Sequence, residues 1–233
     1  MTYRLKIATR LILVLSGGLM VLGTAAAQEV HLRILAATGT AEEIRNALAG
    51  SAELNMQDFS GVSTLMLAAG SNRDPRVVPL LLKAGADINL RTVSGETALT
   101  YAVEYNNSPD LVSLLISAGA KVRDRDALGR TALIQAALYG TNPDIIPVLL
   151  KAGAEVNARD FTGRTALMYA AWANRNPTVV SLLLGAGADA KETSNEGMTA
   201  VDYGQRNFAM HDTESFRALE KAGQERLAQR QGQ

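Results

Sequence analysis

The chain has no cysteine, few aromatic residues and no excess of either charge. Without cysteine it has no thiol nucleophile, no disulfide and no thiol for lipid attachment, so packing alone must stabilise the fold. Aromatic residues make up 5% of the 233 residues, which does not suggest a large ligand cavity. The 23 basic and 23 acidic residues give a formal net charge of zero, and a nucleic-acid partner is not expected because such proteins carry a basic surface.

Motifs for catalysis and for cofactors are also missing from the sequence. It contains no glycine-rich loop that ends in Gly-Lys-Ser or Gly-Lys-Thr, the signature of a phosphate-binding loop. Its two histidines, His31 and His211, lie near opposite ends of the chain. The charges of residues 123–126 alternate in sign, which is more typical of a solvated loop than of a metal or phosphate site. We therefore expect no enzymatic activity, no cofactor and no metal.

The first 27 residues have the pattern of a signal peptide. Basic residues within the first ten positions precede the apolar stretch 11–22, and small residues end the segment. This pattern predicts cleavage between Ala27 and Gln28. An uncleaved membrane anchor is the alternative, but the apolar stretch is shorter than the ~20 residues of a spanning helix. Cleavage would leave 20 basic and 23 acidic residues. We expect a periplasmic protein, with secretion as the second possibility.

A period of 34 residues runs through most of the chain. The glycines that keep this spacing are Gly61, Gly95, Gly129, Gly163 and Gly197. A Gly-Ala pair recurs at the same step from Gly85, and a proline recurs from Pro75. Such a period indicates stacked copies of one supersecondary unit, with an extended surface and no need for a central pocket. The period therefore favours a binding module over an enzyme.

Each copy predicts two helices joined by loops. The periodic glycine marks a turn with positive φ, and a threonine two residues later caps a short alanine-rich helix. These threonines are Thr97, Thr131, Thr165 and Thr199. A longer apolar helix then starts at a cap residue followed by proline and ends at a left-handed glycine such as Gly85. The predicted starts are Asp74-Pro75, Ser108-Pro109, Asn142-Pro143 and Asn176-Pro177.

These features resemble the ankyrin-repeat family. The matching segments are the Thr-Ala-Leu cores at 97–99, 131–133 and 165–167, and the Leu-Leu…Gly-Ala-Asp/Glu-Ile/Val-Asn ends at 81–89 and 149–157. The chain departs from the family in two ways. The family's histidine is replaced by Thr100, Ile134 or Met168, and the period is 34 rather than about 33. The resemblance implies an all-α ankyrin-repeat solenoid of about six helix–turn–helix units: four full repeats plus N- and C-terminal capping units.

The predicted organisation divides the chain at the turns. Residues 1–27 form the signal peptide, 28–57 the N-terminal capping repeat, 58–190 the four ankyrin repeats, 191–222 the C-terminal capping repeat and 223–233 a polar tail. By turn register, repeat 1 spans 58–91, repeat 2 spans 92–125, repeat 3 spans 126–159 and repeat 4 spans 160–193.

The resemblance also implies that a partner binds the face formed by the turns and the first helices. The candidate binding residues on this face are Glu96, Glu104, Tyr105, Arg130, Leu138, Tyr139, Arg164 and Trp172. The same register places Phe59, Val93, Leu128 and Phe161 in the turns. Aromatic residues and arginine dominate interface hot spots, so Trp172 is the strongest candidate. Packing between neighbouring repeats is the alternative role for each aromatic residue.

Two classes of function fit these observations. The favoured one is a non-catalytic protein–protein interaction module of the periplasm, with a protective, inhibitory or immunity-like role. Its partner would be another protein, such as a periplasmic enzyme or a toxin. The alternative is an envelope-associated structural or scaffolding protein without a discrete client. We expect a monomer with no nucleic-acid partner and no membrane association after cleavage.

Overall fold

The computed structural model describes residues 24–49 and 54–231, with side chains described for 31–49 and 54–224. Within these residues the helices form six pairs, and β pairing is confined to isolated bridges. The helices are α1 (Thr24–Thr38), α2 (Ala41–Leu48), α3 (Thr64–Ser71), α4 (Val77–Lys83), α5 (Ala98–Tyr101), π1 (Ala102–Asn106), α6 (Pro109–Ser117), α7 (Ala132–Tyr139), α8 (Ile145–Lys151), α9 (Ala166–Ala173), α10 (Thr178–Gly185), α11 (Ala200–Gly204) and α12 (Glu214–Gln231). The predicted all-α stack of six helix–turn–helix units is confirmed.

Most of the predicted signal peptide lies outside the described residues. Helix α1 begins at Thr24 and runs through the predicted cleavage position between Ala27 and Gln28. At the other end, α12 continues to Gln231 and so includes most of the predicted polar tail. Among the described residues, no helix combines the length and the apolar character that a membrane span requires.

Helices at the same place in successive pairs pack against each other. The first helices contact one another in the order α1, α3, α5 with π1, α7, α9 and α11, while among the second helices α6 contacts α8 and α8 contacts α10. Alanines such as Ala137 and Ala171 are fully buried where the first helices meet. Their small side chains allow close approach, and Leu133 and Leu149 fill the space between the two layers. The core is therefore a continuous strip along the stack.

Each second helix of the four repeats ends in the same way. At the end of α6, Gly119 has φ +100°, its N–H donates to the Ile116 carbonyl, and the Ala120 N–H donates to the Leu115 carbonyl, both at 3.0 Å. These two bonds form a Schellman motif, which satisfies carbonyls that the helix leaves unpaired. The motif recurs at Gly85, Gly153 and Gly187. The predicted left-handed glycines are confirmed.

The predicted starts of the second helices are wrong in three of four repeats. Only α6 begins at its proline, with Ser108 Oγ accepting from the Leu111 N–H at 3.3 Å. Helices α4 and α8 begin two residues after the proline and α10 one residue after it. The intervening turn is tight, as shown by the bond from the Val77 N–H to the Asp74 carbonyl at 3.1 Å. The equivalent turn before α8 begins at Asn142, whose Oδ1 accepts from the Asp144 N–H at 3.0 Å. Asn142 therefore caps that turn rather than the helix.

The first helix of repeat 2 also differs from the predicted short α-helix. It has one α-helical turn, α5, and then widens into the π-helix π1. Asn107 ends it in the left-handed conformation at φ +60°, and its N–H donates to the Ala102 carbonyl at 2.9 Å. Asparagine is one of the few residues that tolerate this conformation. Repeats 1, 3 and 4 have Arg73, Thr141 and Arg175 at this place. The wide turn carries two of the predicted binding residues, Glu104 and Tyr105.

The turns project beyond the first helices as short fingers that stack on one another. In repeat 4, Asp160 Oδ1 accepts from the N–H groups of Thr162 and Arg164, both at 2.9 Å, while Gly163 has φ +74°. The Phe161 N–H donates to the Leu128 carbonyl of the preceding finger at 3.0 Å. The row of fingers is therefore held by backbone hydrogen bonds between repeats.

Arginines at the base of the fingers add a second set of links between repeats. Arg125 donates to the Arg159 carbonyl at 2.6 Å, and Arg159 donates to the Thr193 carbonyl at 2.7 Å. Arg91 bonds to the Arg125 carbonyl in the same manner. These three arginines share the 34-residue spacing. Sequence reasoning did not assign them this role, and Arg125 is a link between repeats rather than part of a freely solvated loop.

Candidate protein-binding face

The finger tips and the C-terminal halves of the first helices form one surface, which we call the finger face. Four apolar side chains are exposed at the tips of its fingers: Phe59, Val93, Leu128 and Phe161. Phe59 is fully exposed and Phe161 is 70% exposed, although the Phe161 ring lies against Gly129. The backbone bonds between fingers hold these tips in a row. A row of apolar tips is a surface that a protein partner can cover.

In repeat 4 the face carries an arginine enclosed by aromatic rings. Arg164 donates to the Tyr203 hydroxyl at 2.9 Å and to a Glu196 carboxylate oxygen at 2.8 Å. Its guanidinium carbon lies 5.4 Å from the Trp172 ring centroid and 5.2 Å from that of Tyr203. Trp172 also meets the Tyr169 ring at 6.2 Å. These contacts fix the orientation of Trp172 while 42% of the residue stays exposed.

Repeat 3 has a smaller version of the same arrangement. Arg130 donates to an Asp126 carboxylate oxygen at 2.7 Å and to the Tyr139 hydroxyl at 3.1 Å. Its guanidinium carbon lies 5.8 Å from the Tyr139 ring centroid. Asp126 is buried and also accepts from the Gln135 side chain at 3.1 Å. The prediction that Asp126 belongs to a solvated loop is therefore wrong.

Repeat 2 presents acidic groups instead of an arginine. Glu96 accepts from the Ser94 hydroxyl at 2.9 Å, and the Tyr105 hydroxyl hydrogen-bonds to the Glu104 carboxylate. Burial raises the pKa of Glu104, and the negative charges of Glu96 and Asp126 raise it further, while the bond to Tyr105 and the charge of Arg130 oppose this. The Tyr105 ring packs edge-on against Tyr101 at 5.3 Å.

The structure thus separates the predicted binding residues into three groups. Trp172 and Tyr139 are exposed next to their arginines, Arg164 and Arg130. Glu96, Glu104 and Tyr105 form the acidic part of the face and are half-buried. Leu138 is partly buried against the core. Consequently Tyr105, Tyr139 and Trp172, which lie near the ends of successive first helices, are not uniformly exposed: Tyr105 is half-buried while Tyr139 and Trp172 are exposed.

Sequence reasoning missed the residues that hold this face from behind. Tyr169, buried as expected from its place near the middle of the helix, donates to Asp160 at 2.6 Å. Tyr203 donates to the Ser194 hydroxyl at 3.1 Å and accepts from Arg164. Both pairs, like Asp126 and Gln135, are nine residues apart. That recurring separation is the signal that could have identified them.

The described residues show no constellation for metal binding. No group of three or more histidine, aspartate or glutamate side chains in this part of the chain could hold a metal ion. His211 instead lies between the Phe208 and Phe216 rings and bonds to the Gln205 carbonyl at 3.0 Å. The chemistry available on the finger face is therefore hydrogen bonding, charge pairing and apolar contact.

Comparison with known proteins agrees with this description. The family model described as "Ankyrin repeats (3 copies)" matches residues 32–126, 65–160 and 108–194. No curated protein matches the chain. A solved structure that matches is titled "Bd0816 Predatory Endopeptidase from Bdellovibrio bacteriovorus in complex with immunity protein Bd3460". The matching neighbour is the immunity protein, at 30% identity and a TM-score of 0.69, with 82% of this chain and 97% of that chain covered. The chain belongs to the ankyrin-repeat family.

Proposed function

We propose that this protein is an immunity-like inhibitor that binds a peptidase of its own cell through the finger face and restrains it. The observation that carries the proposal is the match to an immunity protein solved in complex with an endopeptidase. The match extends over 97% of that chain, so it concerns the whole stack of repeats rather than one helix pair.

The finger face has the physical properties that such a role needs. Its aromatic residues Trp172 and Tyr139 are exposed but held by arginines, so little side-chain entropy is lost when a partner covers them. Aromatic and arginine side chains at the centre of an interface supply most of the binding free energy. Apolar finger tips beside them extend the area that can be buried.

An inhibition assay tests this proposal. Purified endopeptidases of the source organism are mixed with the purified protein, and hydrolysis of each enzyme's own substrate is followed. We expect stoichiometric inhibition of one enzyme or a few related enzymes, and a stable complex in gel filtration. If no endopeptidase is bound or inhibited at micromolar concentrations, the immunity-like function is wrong.

Location is a separate part of the proposal. An inhibitor that protects the cell from a peptidase of the envelope has to be exported, and the leader pattern at residues 1–27 supports this. Fractionation of cells that express the full chain, with sequencing of the mature N-terminus, tests it. We expect a periplasmic protein that begins at Gln28. A chain that retains its leader and pellets with membranes would favour the envelope-associated structural role.

A further inference from the structure

The five fingers have the same internal geometry. Numbered along the chain, they are finger 1 (58–62), finger 2 (92–96), finger 3 (126–130), finger 4 (160–164) and finger 5 (194–198). In each, the fourth residue is a glycine with φ between +74° and +79°. Its N–H donates to the carbonyl of the first residue at 2.7 to 3.0 Å. The fingers therefore differ in their neighbours and not in their own backbone shape.

One hydrogen bond joins each finger to the finger before it. The second residue of the later finger donates its N–H to the carbonyl of the third residue of the earlier one. Fingers 2 to 5 all make this bond, at 2.8 to 3.0 Å, from Val93, Ala127, Phe161 and Asn195 to Ser60, Ser94, Leu128 and Thr162. The second residue also closes over the earlier turn glycine, so that a Cβ at Gly129 would lie 2.7 Å from the Phe161 ring. Each finger thus offers one donor and one side chain to its predecessor.

Finger 1 is the first of the row. The 34-residue period places the preceding finger at residues 24–28, but this stretch belongs to helix α1, which begins at Thr24. Among the residues that the structure describes, none accepts a hydrogen bond from the Phe59 N–H. The Phe59 ring is fully exposed. Finger 1 therefore presents to solvent the donor and the side chain that the later fingers use within the chain.

This end of the row is rigid. Arg33 of α1 is buried and donates to an Asp58 carboxylate oxygen at 2.9 Å and to the Val62 carbonyl at 2.8 Å. On the other side, Gln57 donates to the Arg91 carbonyl at 2.8 Å, where the later fingers have an arginine in its place. Because finger 1 is fixed by both neighbours, a partner that docks on it loses little conformational entropy in ordering it.

A loop of another protein fits the vacant place before finger 1. Within the chain, this place is filled by a backbone carbonyl that is followed directly by glycine. A second copy of the chain cannot bring its finger 5 there, because α11 follows that finger directly and would have to occupy the place of α1. A loop that projects from a partner's surface meets no such obstacle.

We propose that finger 1 docks an exposed, glycine-containing loop of the partner protein. A carbonyl of the loop accepts from the Phe59 N–H, and the loop glycine lies under the Phe59 ring, as Gly129 lies under Phe161. Pairing with a backbone edge is a general mode of peptide recognition. This docking mode rests on the proposed function, since the loop is taken to belong to the bound peptidase.

The first test measures the affinity of the endopeptidase for variants at Phe59. Phe59→Ala removes the ring and keeps the N–H, and it should weaken binding at least about tenfold if the ring is an interface anchor. The matched control is Phe208→Ala, because Phe208 is also exposed but lies in the loop between α11 and α12. The control should bind like the parent. If Phe59→Ala binds equally well, the docking mode is wrong.

Phe59→Pro tests the backbone donor. Phe59 is the second residue of the turn 58–61, a position that suits proline, so the change removes the N–H and preserves the turn. We expect binding about twofold to tenfold weaker than that of Phe59→Ala, at an unchanged thermal midpoint. Val93→Pro makes the same change in finger 2 and should lower the midpoint, because it breaks the bond to Ser60. A Phe59→Pro protein that binds as well as Phe59→Ala would show that the N–H is not paired.

A peptide probe tests the site on the isolated protein. Finger 5 supplies its sequence, because the outer side of this finger is open: a Cβ at Gly197 would meet nothing within 4 Å. A cyclic peptide of residues 192–199 is titrated and followed by backbone amide NMR. We expect a saturable shift of the Phe59 amide, and none from the same peptide with Gly197→Ala, whose Cβ would collide with the ring. No shift at Phe59, or equal shifts from both peptides, would overturn the proposal.

The two proposals can fail separately. If an endopeptidase is inhibited, and neither Phe59 variant weakens the complex, the proposed function stands and the docking mode is wrong. If the cyclic peptide shifts the Phe59 amide but no endopeptidase is bound, the site stands and the immunity-like function is wrong.

Discussion

Among single residues, Trp172 offers the clearest test of whether an aromatic side chain of the finger face binds a partner or only packs within the fold. Its ring touches Tyr169, Tyr203 and Arg164, yet 42% of the residue is exposed. We predict that Trp172→Ala weakens partner binding by about 2 kcal/mol or more. The free energy of unfolding should fall by less than the ~3–5 kcal/mol of a buried tryptophan truncation, because a large part of the residue is already exposed. Titration calorimetry and urea unfolding measure the two quantities on the same variant.

The control for this variant has to avoid hydrogen-bonded side chains. Ser113 is exposed on α6, on the other layer of the stack, and Ser113→Ala should change neither quantity. Ser181 is unsuitable because its hydroxyl bonds to Ser215 at 2.8 Å. A Trp172→Ala protein that loses as much stability as a core truncation and keeps its affinity would show that the tryptophan only packs.

Glu104, again a single residue, gives a prediction about how folding stability depends on pH. Burial raises the pKa of its carboxyl above the ordinary value of 4.5. In the folded state the carboxyl therefore stays protonated at pH values where the unfolded chain has already lost the proton. Such a group lowers stability as pH rises through the interval between the two pKa values. Glu104→Gln removes this penalty. We therefore expect the variant to gain stability over the parent at pH 7, with the gain vanishing below pH ~4.

Melting temperatures of both proteins across this pH range measure the effect. Glu214→Gln, at an exposed site in α12, is the matched control and should follow the parent at every pH. A Glu104→Gln protein that gains more at acidic than at neutral pH would contradict the raised pKa.

At the level of elements, two glycines test how the fingers stack. Gly163 in a finger and Gly187 after α10 both have positive φ, +74° and +88°. A Cβ at Gly163 would lie 2.9 Å from the backbone nitrogen of Asn195 in the next finger, whereas a Cβ at Gly187 would meet nothing within 4 Å. Gly187→Ala should cost about 1–2 kcal/mol for the left-handed backbone. We expect Gly163→Ala to cost ~1–3 kcal/mol more, because the fingers must move apart. Chemical denaturation of the two variants compares these costs, and equal losses would mean that the fingers do not stack.

The corrected start of α8 leads to a prediction about Asn142. Its Oδ1 accepts from the Asp144 N–H and its Nδ2 donates to the Asn107 carbonyl of the preceding repeat at 3.2 Å. Asn142→Ala removes both bonds and should cost about 1–2 kcal/mol. Ser108→Ala removes a helix cap alone and should cost about 1 kcal/mol. Urea titration of both variants tests this order, and an Asn142→Ala protein as stable as the parent would rule out the link to Asn107.

For the whole molecule, stability should be distributed along the continuous core. Leu133 lies in a central repeat and is 1% exposed. Leu133→Ala should therefore cost about 2–5 kcal/mol from lost transfer free energy and the cavity it leaves. The thermal midpoint measures this effect, with exposed Gln224→Ala as the control. Similar midpoints for the two variants would mean that the repeats do not share one core.

The sequence by itself determined the architecture, because the central units repeat the same local signals. The 34-residue period, the threonine caps and the left-handed glycines at the helix ends act within a few residues of one another, and the structure confirms them at Thr131 and Gly119, for example. Local signals were less reliable where two conformations compete. The turn after Asn142 and the π-helix before Asn107 are both small shifts of a helix end, and the two places are joined by the bond from Asn142 Nδ2 to the Asn107 carbonyl.

Only the tertiary structure decided which side chains of the finger face are held and which are open. Their places near the ends of successive first helices made Tyr105, Tyr139 and Trp172 similar candidates, yet Tyr105 packs on Tyr101 while the other two lie beside arginines. Arg164 finds its partners 32 and 39 residues away, in Glu196 and Tyr203. Such contacts form between repeats, so they depend on the residues of two copies at once. The sequence pattern of one copy predicts the fold of that copy. The exposure and charge pairing of its side chains are decided only when neighbouring copies stack.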